Sequence, residues 1–234
     1  YVNAYSNLGI LYIQLEDYKK SVNCYEKVIQ IQPNNAAAHN NLGFILNQIE
    51  KHQKAKNCLE KAIQIEPSYA DAYYNLGNAL KGLKNYKKAI IFYEKAIAIN
   101  PNYVAAFNSL GVLFNQLREY KKSVNCYEKA IQIQPNYATS YNNLGNINKE
   151  VGEHQKAISF YEKAIQIKPD NSAAYNNLGY VLKELGEYQK AISSYEKAIQ
   201  IKPNYSDAYY NLGNVLKKLG ENQKAISSYE KVIQ

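Results

Sequence analysis

Apolar and small residues return with one fixed spacing along this chain. Within each 34-residue block they occupy positions 4, 7, 8 and 11, and then positions 20, 24 and 27. In the third block the first set is Tyr73, Leu76, Gly77 and Leu80. This i, i+3, i+4, i+7 spacing is typical of one face of an amphipathic helix, and the second set forms a similar stripe. The pattern therefore predicts two helices per block, A and then B, and no strand.

Counted with Val2 as position 1, the chain contains six full blocks and a shortened seventh. The predicted repeats are residues 2–35, 36–69, 70–103, 104–137, 138–171, 172–205 and 206–234. Self-similarity at this period is typical of solenoids, in which each unit packs only on its neighbours. We therefore predict a single array over residues 1–234. Because the pattern is cut at both ends, we interpret the chain as a piece of a longer array.

Proline and glycine mark the ends of the predicted helices. A proline stands at position 32 of all six full repeats and should end helix B. Gly152, Gly186 and Gly220 stand at position 15, where a positive φ would end helix A. In repeats one to four the same position holds Glu16, Glu50, Lys84 and Arg118. We expect the turns at those four residues to be strained or shifted.

The glycine at position 8 lies in the middle of helix A. A glycine there costs roughly 1 kcal/mol relative to alanine, so its return in every repeat indicates a packing role. We expect it to let helix B approach closely, with the small residues at positions 20 and 27 as its counterparts and the aromatic residues at positions 4 and 24 filling the gaps.

Taken together, these positions resemble the tetratricopeptide repeat over the whole chain. The resemblance implies an all-α, right-handed superhelical solenoid of antiparallel helix pairs. It also implies that helices A line a concave groove that binds peptides or partner helices. The array is most similar to the superhelical repeat domain of O-GlcNAc transferase, through its AxxNLG phrasing, its asparagines at position 6 and its Asp-Ala-Tyr openings at 71–73 and 207–209.

A row of asparagines lies on the face of helix A that is predicted to be free of the core, at positions 2, 5, 6, 9, 12 and 13. Position 6 holds Asn7, Asn41, Asn75, Ser109, Asn143, Asn177 and Asn211. An amide offers donors and an acceptor, the groups that a peptide backbone needs. One asparagine per packed helix, about 8–10 Å apart, matches about every third residue of an extended peptide. We predict backbone recognition here; the alternative is repeat consensus, solvated or bonded between adjacent helices.

Other side chains on this face complete the candidate groove. Position 9 adds Asn78, Asn146 and Asn214, position 12 adds Lys81, Lys149, Lys183 and Lys217, and four aromatic residues are Phe44, Tyr74, Tyr180 and Tyr210. Partly exposed aromatic residues are favoured interface anchors. For the four aromatic residues, the alternative is packing against a neighbouring helix.

Charge and cysteine usage limit the classes of partner and the cellular compartment that we expect. The chain carries a formal charge of +8, but the candidate face holds five lysines and four acidic residues, a net charge of only +1. A nucleic-acid binder would concentrate its charge where the ligand lies, so we predict no nucleic acid. Three dispersed cysteines, no signal pattern and no long apolar run predict an intracellular protein, cytoplasmic or nuclear, without a membrane partner.

The sequence offers no catalytic constellation, cofactor motif or metal-ligand cluster, so we predict that this chain is not an enzyme. The predicted function is a protein–protein interaction scaffold that binds an extended peptide or partner segment in the concave groove. One alternative is the substrate-recognition domain of a larger enzyme, such as an O-GlcNAc transferase. Another is a purely structural array that stacks end to end through uncapped terminal repeats.

Overall fold

The computed structural model describes residues 1–233, and over these residues it contains fourteen α-helices and no strand. The helices are α1 (Val2–Gln14), α2 (Tyr18–Ile31), α3 (Ala36–Gln48), α4 (His52–Ile65), α5 (Ala70–Gly82), α6 (Tyr86–Ile99), α7 (Val104–Gln116), α8 (Tyr120–Ile133), α9 (Ala138–Glu150), α10 (His154–Ile167), α11 (Ser172–Glu184), α12 (Tyr188–Ile201), α13 (Ser206–Lys218) and α14 (Asn222–Ile233).

The helices follow the period of the sequence. Each odd-numbered helix covers positions 1–13 of its repeat, and each even-numbered helix begins at position 17. The even-numbered helices from α2 to α12 end at position 30, two residues before the proline. The prediction of an all-α solenoid built from helix pairs is confirmed. Because only three residues join the two helices of a pair, they lie side by side and antiparallel.

The turn within each pair is the same in all seven repeats. In the third repeat the Lys84 N–H donates to the carbonyl of Lys81 at 2.9 Å, and the Asn85 N–H donates to that of Leu80 at 2.8 Å, which is a Schellman motif. The residue at position 15 has a positive φ throughout, from 78 to 81° at the glycines and from 56 to 60° at the four other residues. The predicted glycine turns are confirmed, and repeats one to four accept a left-handed residue without shifting the turn.

The glycine at position 8 faces the residue at position 24 of the same repeat. A Cβ added to Gly77 would lie 2.5 Å from Cε1 of Tyr93, and one added to Gly43 would lie 2.5 Å from Cγ of Leu59. The expectation of close approach is confirmed, but the counterpart is the large residue at position 24 rather than the small residues alone. A side chain at position 8 would overlap the buried ring, so only glycine fits here.

The chain divides into two compact units, Tyr1–Leu113 and Phe114–Gln234. In the second unit one continuous core joins successive repeats, with Tyr161 of α10, Leu182 of α11, Tyr195 of α12 and Leu216 of α13 among its members. The prediction of a single array over residues 1–234 stays a prediction. No helix within residues 1–233 is both long enough and apolar enough to cross a membrane.

Candidate functional site

The candidate residues lie on the odd-numbered helices, and we call positions 2, 5, 6, 9, 12 and 13 of those helices the A face of each unit. At position 6, Asn7 is exposed and Asn75 is buried, whereas the following members are half-buried: Asn41, Ser109, Asn143, Asn177 and Asn211. At position 9, Asn78, Asn146 and Asn214 are half-buried. At position 12, Lys81, Lys149 and Lys183 are half-buried and Lys217 is exposed.

The asparagines form a ladder of hydrogen bonds between successive odd-numbered helices. Nδ2 of Asn75 donates to Oδ1 of Asn40 at 2.9 Å in the first unit. In the second unit, Asn177 donates to Asn142 at 3.3 Å and Asn211 donates to Asn176 at 3.1 Å. Each bond joins position 6 of one repeat to position 5 of the repeat before it. The ladder therefore stabilises the packing of adjacent repeats.

This ladder corrects the expectation that the A face has no part in packing. Asn40, Asn75 and Asn176 are only 5 %, 7 % and 8 % exposed. A helical wheel of one repeat does not include the neighbouring odd-numbered helix, which covers positions 5 and 6. Buried amides need partners, and the amide of the neighbouring repeat supplies them.

In repeats six and seven the ladder uses the amide nitrogen of position 6 and leaves its oxygen. Asn177 donates both amide hydrogens, to Asn142 and to Oδ1 of Asn146 at 3.1 Å. Within residues 1–233, Oδ1 of Asn177 and Oδ1 of Asn211 accept no hydrogen bond, and neither is one of the buried unpaired atoms. These two oxygens are therefore in contact with solvent and free to accept a hydrogen bond from a ligand.

The asparagines at position 9 bind the tyrosine at position 24 of their own repeat. The hydroxyls of Tyr93, Tyr161 and Tyr229 donate to Oδ1 of Asn78, Asn146 and Asn214 at 2.7, 2.8 and 2.9 Å. Burial raises the pKa of Tyr93 and Tyr161, because the charged phenolate is disfavoured away from water. Position 9 thus satisfies the hydroxyl of a buried tyrosine in repeats three and five and of a half-buried tyrosine in repeat seven.

In repeats without asparagine at position 9, the residue at position 24 has different surroundings. In the first repeat, Tyr25 accepts a hydrogen bond from Nδ2 of Asn41 at 3.2 Å. In the second repeat, position 24 is Leu59, which needs no partner, and position 9 is Phe44, which is half-buried. In the sixth repeat Tyr195 is fully buried, and its hydroxyl has no hydrogen-bond partner within residues 1–233.

The aromatic residues of the A face differ in their surroundings. Tyr74 packs against the rings of Tyr93 and Tyr103, with centroids 5.7 and 5.1 Å away, so it belongs to the packing of the first unit. Tyr180 and Tyr210 are exposed. Both Lys149 and Lys183 place their ammonium groups near the ring of Tyr180, 5.2 and 4.5 Å from its centroid.

Some residues of this network were missing from the candidate set. Tyr69 at position 34 accepts from Nδ2 of Asn40 at 3.3 Å, and Tyr103 at position 34 donates to Oδ1 of Asp71 at 2.5 Å. The available signal was the return of tyrosine at position 34 in four of the six full repeats. Within residues 1–233 no group of three or more His, Cys, Asp or Glu side chains could hold a metal ion.

Part of the basic charge outside the A face is paired at the start of the even-numbered helices. Lysine at position 19 pairs with an acidic residue at position 16, as in Lys122 with Glu119 at 2.5 Å and Lys190 with Glu187 at 2.5 Å. These pairs are exposed and contribute little to stability. They show that the lysine at position 19 forms a local ion pair in five repeats.

Comparisons with known sequences give the same repeat along the chain. Family models described as tetratricopeptide repeat match residues 1–66 and 102–170, 70–103, 160–193 and 207–234. A further model described as TPR repeat matches residues 179–220. No curated protein matches the sequence.

Solved structures share the fold. The crystal structure of MamA is 28 % identical, with a TM-score of 0.60 over 68 % of this chain and 92 % of that chain. The pilF protein of Pseudomonas aeruginosa is 22 % identical, with a TM-score of 0.75 over 82 % of this chain and 88 % of that chain. A tetratricopeptide repeat protein from Parabacteroides merdae is 17 % identical, with a TM-score of 0.75 over 99 % of this chain and 91 % of that chain. At 22 % and 17 % identity, the similarity to the last two structures concerns the fold alone.

Proposed function

Since this chain belongs to the tetratricopeptide repeat family, whose repeats support a general role as a protein-interaction scaffold, we propose that it binds an extended peptide along the A face. The observation that carries this proposal is the orientation of the position-6 amides. The nitrogens of Asn177 and Asn211 are engaged by the preceding repeat, and their oxygens are left as acceptors in contact with solvent.

A row of fixed acceptors suits the backbone of a peptide. Packed helices are about 8–10 Å apart, and an extended chain advances about 3.3 Å per residue. One backbone N–H in every three would therefore meet an asparagine oxygen. Because the ladder holds each amide before the ligand arrives, little side-chain freedom is lost on binding. Recognition of this kind reads the backbone and tolerates many side chains.

The proposal is tested with a random peptide library selected on the immobilised chain. The wild type should enrich peptides of many sequences, and the double variant Asn177→Ala with Asn211→Ala should bind the recovered peptides at least about tenfold more weakly, a loss of roughly 1.4 kcal/mol. Asn125→Ala is the matched control, because Asn125 is exposed on the even-numbered helix α8.

The asparagine variants also lose bonds of the ladder, so circular dichroism must show that they remain folded at the binding temperature. If the folded double variant binds as tightly as the wild type, or if no peptide is enriched, the proposal is wrong. Substrate recognition for a larger enzyme and end-to-end stacking stay predictions.

A further inference from the structure

The A face of the second unit carries a row of lysines whose charge is unequally compensated. Lys149, Lys183 and Lys217 occupy position 12 of α9, α11 and α13. Within residues 1–233, Lys149 and Lys217 form no ion pair, whereas Lys183 lies 3.0 Å from Oε1 of Glu184. That pair is partly exposed, so an incoming anion can compete with Glu184 for the ammonium group.

Two of these ammonium groups lie beside the ring of Tyr180. Both Lys149 and Lys183 place Nζ within 5.2 Å of the centroid of one ring. The negative face of an aromatic ring attracts a cation, which holds both ammonium groups beside Tyr180. An acidic ligand at this ring would pair with Lys149, which forms no ion pair, and compete with Glu184 for Lys183.

The presence of Tyr180 has a structural disadvantage in the sixth repeat. In repeats three, five and seven the residue at this position is an asparagine that accepts a hydrogen bond from the tyrosine at position 24. With Tyr180 there, the fully buried hydroxyl of Tyr195 has no partner. A residue that breaks the local rule is expected at a functional position. Tyr180 is also 37 % exposed.

We infer that the A face of the second unit binds the acidic part of a peptide, with the ammonium groups of Lys149, Lys183 and Lys217 pairing with aspartate or glutamate side chains. This inference rests on the proposed function, since the asparagine oxygens of the same face bind the peptide backbone. The ring of Tyr180 positions the lysines and contacts the aliphatic part of the ligand. Adjacent position-12 lysines lie one repeat apart, so acidic residues about three positions apart in the peptide fit them.

The library selection tests this inference when the charge of the recovered peptides is counted. The peptides are about twelve residues long, with acetylated and amidated ends, so that no terminal carboxylate contributes. The wild type should enrich aspartate and glutamate over the input library, and the recovered acidic peptides should bind at least about tenfold more tightly than their Asn and Gln counterparts. Their affinity should fall with added salt.

The triple variant Lys149→Gln, Lys183→Gln, Lys217→Gln should still enrich peptides but lose the acidic preference. The matched control changes the same charge on the even-numbered helices of the same unit, as Lys129→Gln, Lys163→Gln, Lys197→Gln. These three lysines are exposed, and each hydrogen-bonds a glutamine three residues later. The control should keep the preference. Glu184→Gln should strengthen binding of acidic peptides, because it removes the competing carboxylate.

Tyr180→Asn separates function from stability. It gives the Tyr195 hydroxyl an acceptor and should make the chain more stable, yet it should weaken the preference for acidic peptides at least threefold. Enrichment without acidic bias, or loss of the bias in the control variant as well, overturns the inference and leaves the proposed function standing. Failure to enrich any peptide contradicts both this inference and the proposed function. Tight, lysine-dependent binding of a twelve-nucleotide uridine RNA without peptide enrichment would also overturn it.

Discussion

The hydroxyl of Tyr161 donates to Oδ1 of Asn146 at 2.8 Å, and this bond links α10 to α9 on the A face. The same bond occurs in repeats three and seven. Each of these helix pairs is thus joined by a partly buried side-chain hydrogen bond next to the close contact between the position-8 glycine and the position-24 ring. The bond has no counterpart in repeat six, where Tyr180 replaces asparagine.

We expect Tyr180→Asn to raise the free energy of unfolding by about 1 kcal/mol, since it supplies a partner for the buried hydroxyl of Tyr195. Urea unfolding followed by circular dichroism measures this as a higher midpoint at an unchanged slope. Tyr180→Leu is the control, because it removes the ring without adding an acceptor. An equal gain in both variants would show that the hydrogen bond is not the cause.

We expect glycine at the strained turns of repeats one to four to stabilise the chain. Lys84→Gly removes a left-handed lysine with φ 58° and should raise the free energy of unfolding by about 1 kcal/mol. The reverse change, Gly152→Lys, should lower the free energy of unfolding by a similar amount, because a lysine at φ +81° is strained. No atom lies within 4 Å of the added Cβ, so steric overlap does not contribute. Thermal or urea unfolding of the two variants checks both signs. A lower midpoint for Lys84→Gly would contradict the strain argument.

We expect Gly77→Ala to lower the free energy of unfolding by about 1–3 kcal/mol, although alanine is the better helix former. The added methyl group would lie 2.5 Å from the ring of Tyr93. A double-mutant cycle with Tyr93→Ala isolates the contact. Once the ring is removed, Gly77→Ala should be neutral or stabilising. If alanine is equally harmful with and without the ring, the close contact does not explain the glycine.

We expect the chain to lose stability above about pH 10, the ordinary pKa of tyrosine. Burial raises the pKa of Tyr93, Tyr127, Tyr161 and Tyr195 in the folded chain. The folded state therefore holds its protons more tightly, and the stabilisation is present below pH 10 and is lost as the pH rises towards the folded pKa. The urea midpoint should fall as the pH rises above about 10.

The variant Tyr161→Phe cannot ionise at this position, so its midpoint should fall less steeply with pH above about 10 than that of the wild type. The comparison uses the slope with pH, because the variant also loses the hydrogen bond to Asn146 at every pH. Identical slopes would contradict an effect of the buried phenol at position 161.

The helices, their turns and the glycine contacts could be predicted from the sequence because they depend on one repeat. The spacing of Leu76, Gly77 and Leu80 is enough to place a helix, and a proline is enough to end one. The asparagine ladder depends on the neighbouring repeat, so one helical wheel placed Asn75 on a free surface. The Tyr–Asn pair had a signal in the sequence, because Leu59 stands with Phe44 where other repeats pair Tyr161 with Asn146. The contact of Lys149 and Lys183 with Tyr180 joins two repeats, so the pattern within one repeat could not predict it.

Backbone recognition by the asparagine oxygens is tested most directly with modified peptides, which leave the fold of the chain unchanged. One peptide recovered from the library is N-methylated at a single backbone nitrogen at a time, and the affinity of each product is measured by fluorescence anisotropy. Each methyl group removes one N–H donor. The affinity should fall about tenfold or more at nitrogens spaced about three residues apart and stay nearly constant between them. Equal affinity of all N-methylated peptides and the parent peptide would contradict backbone recognition by the A face.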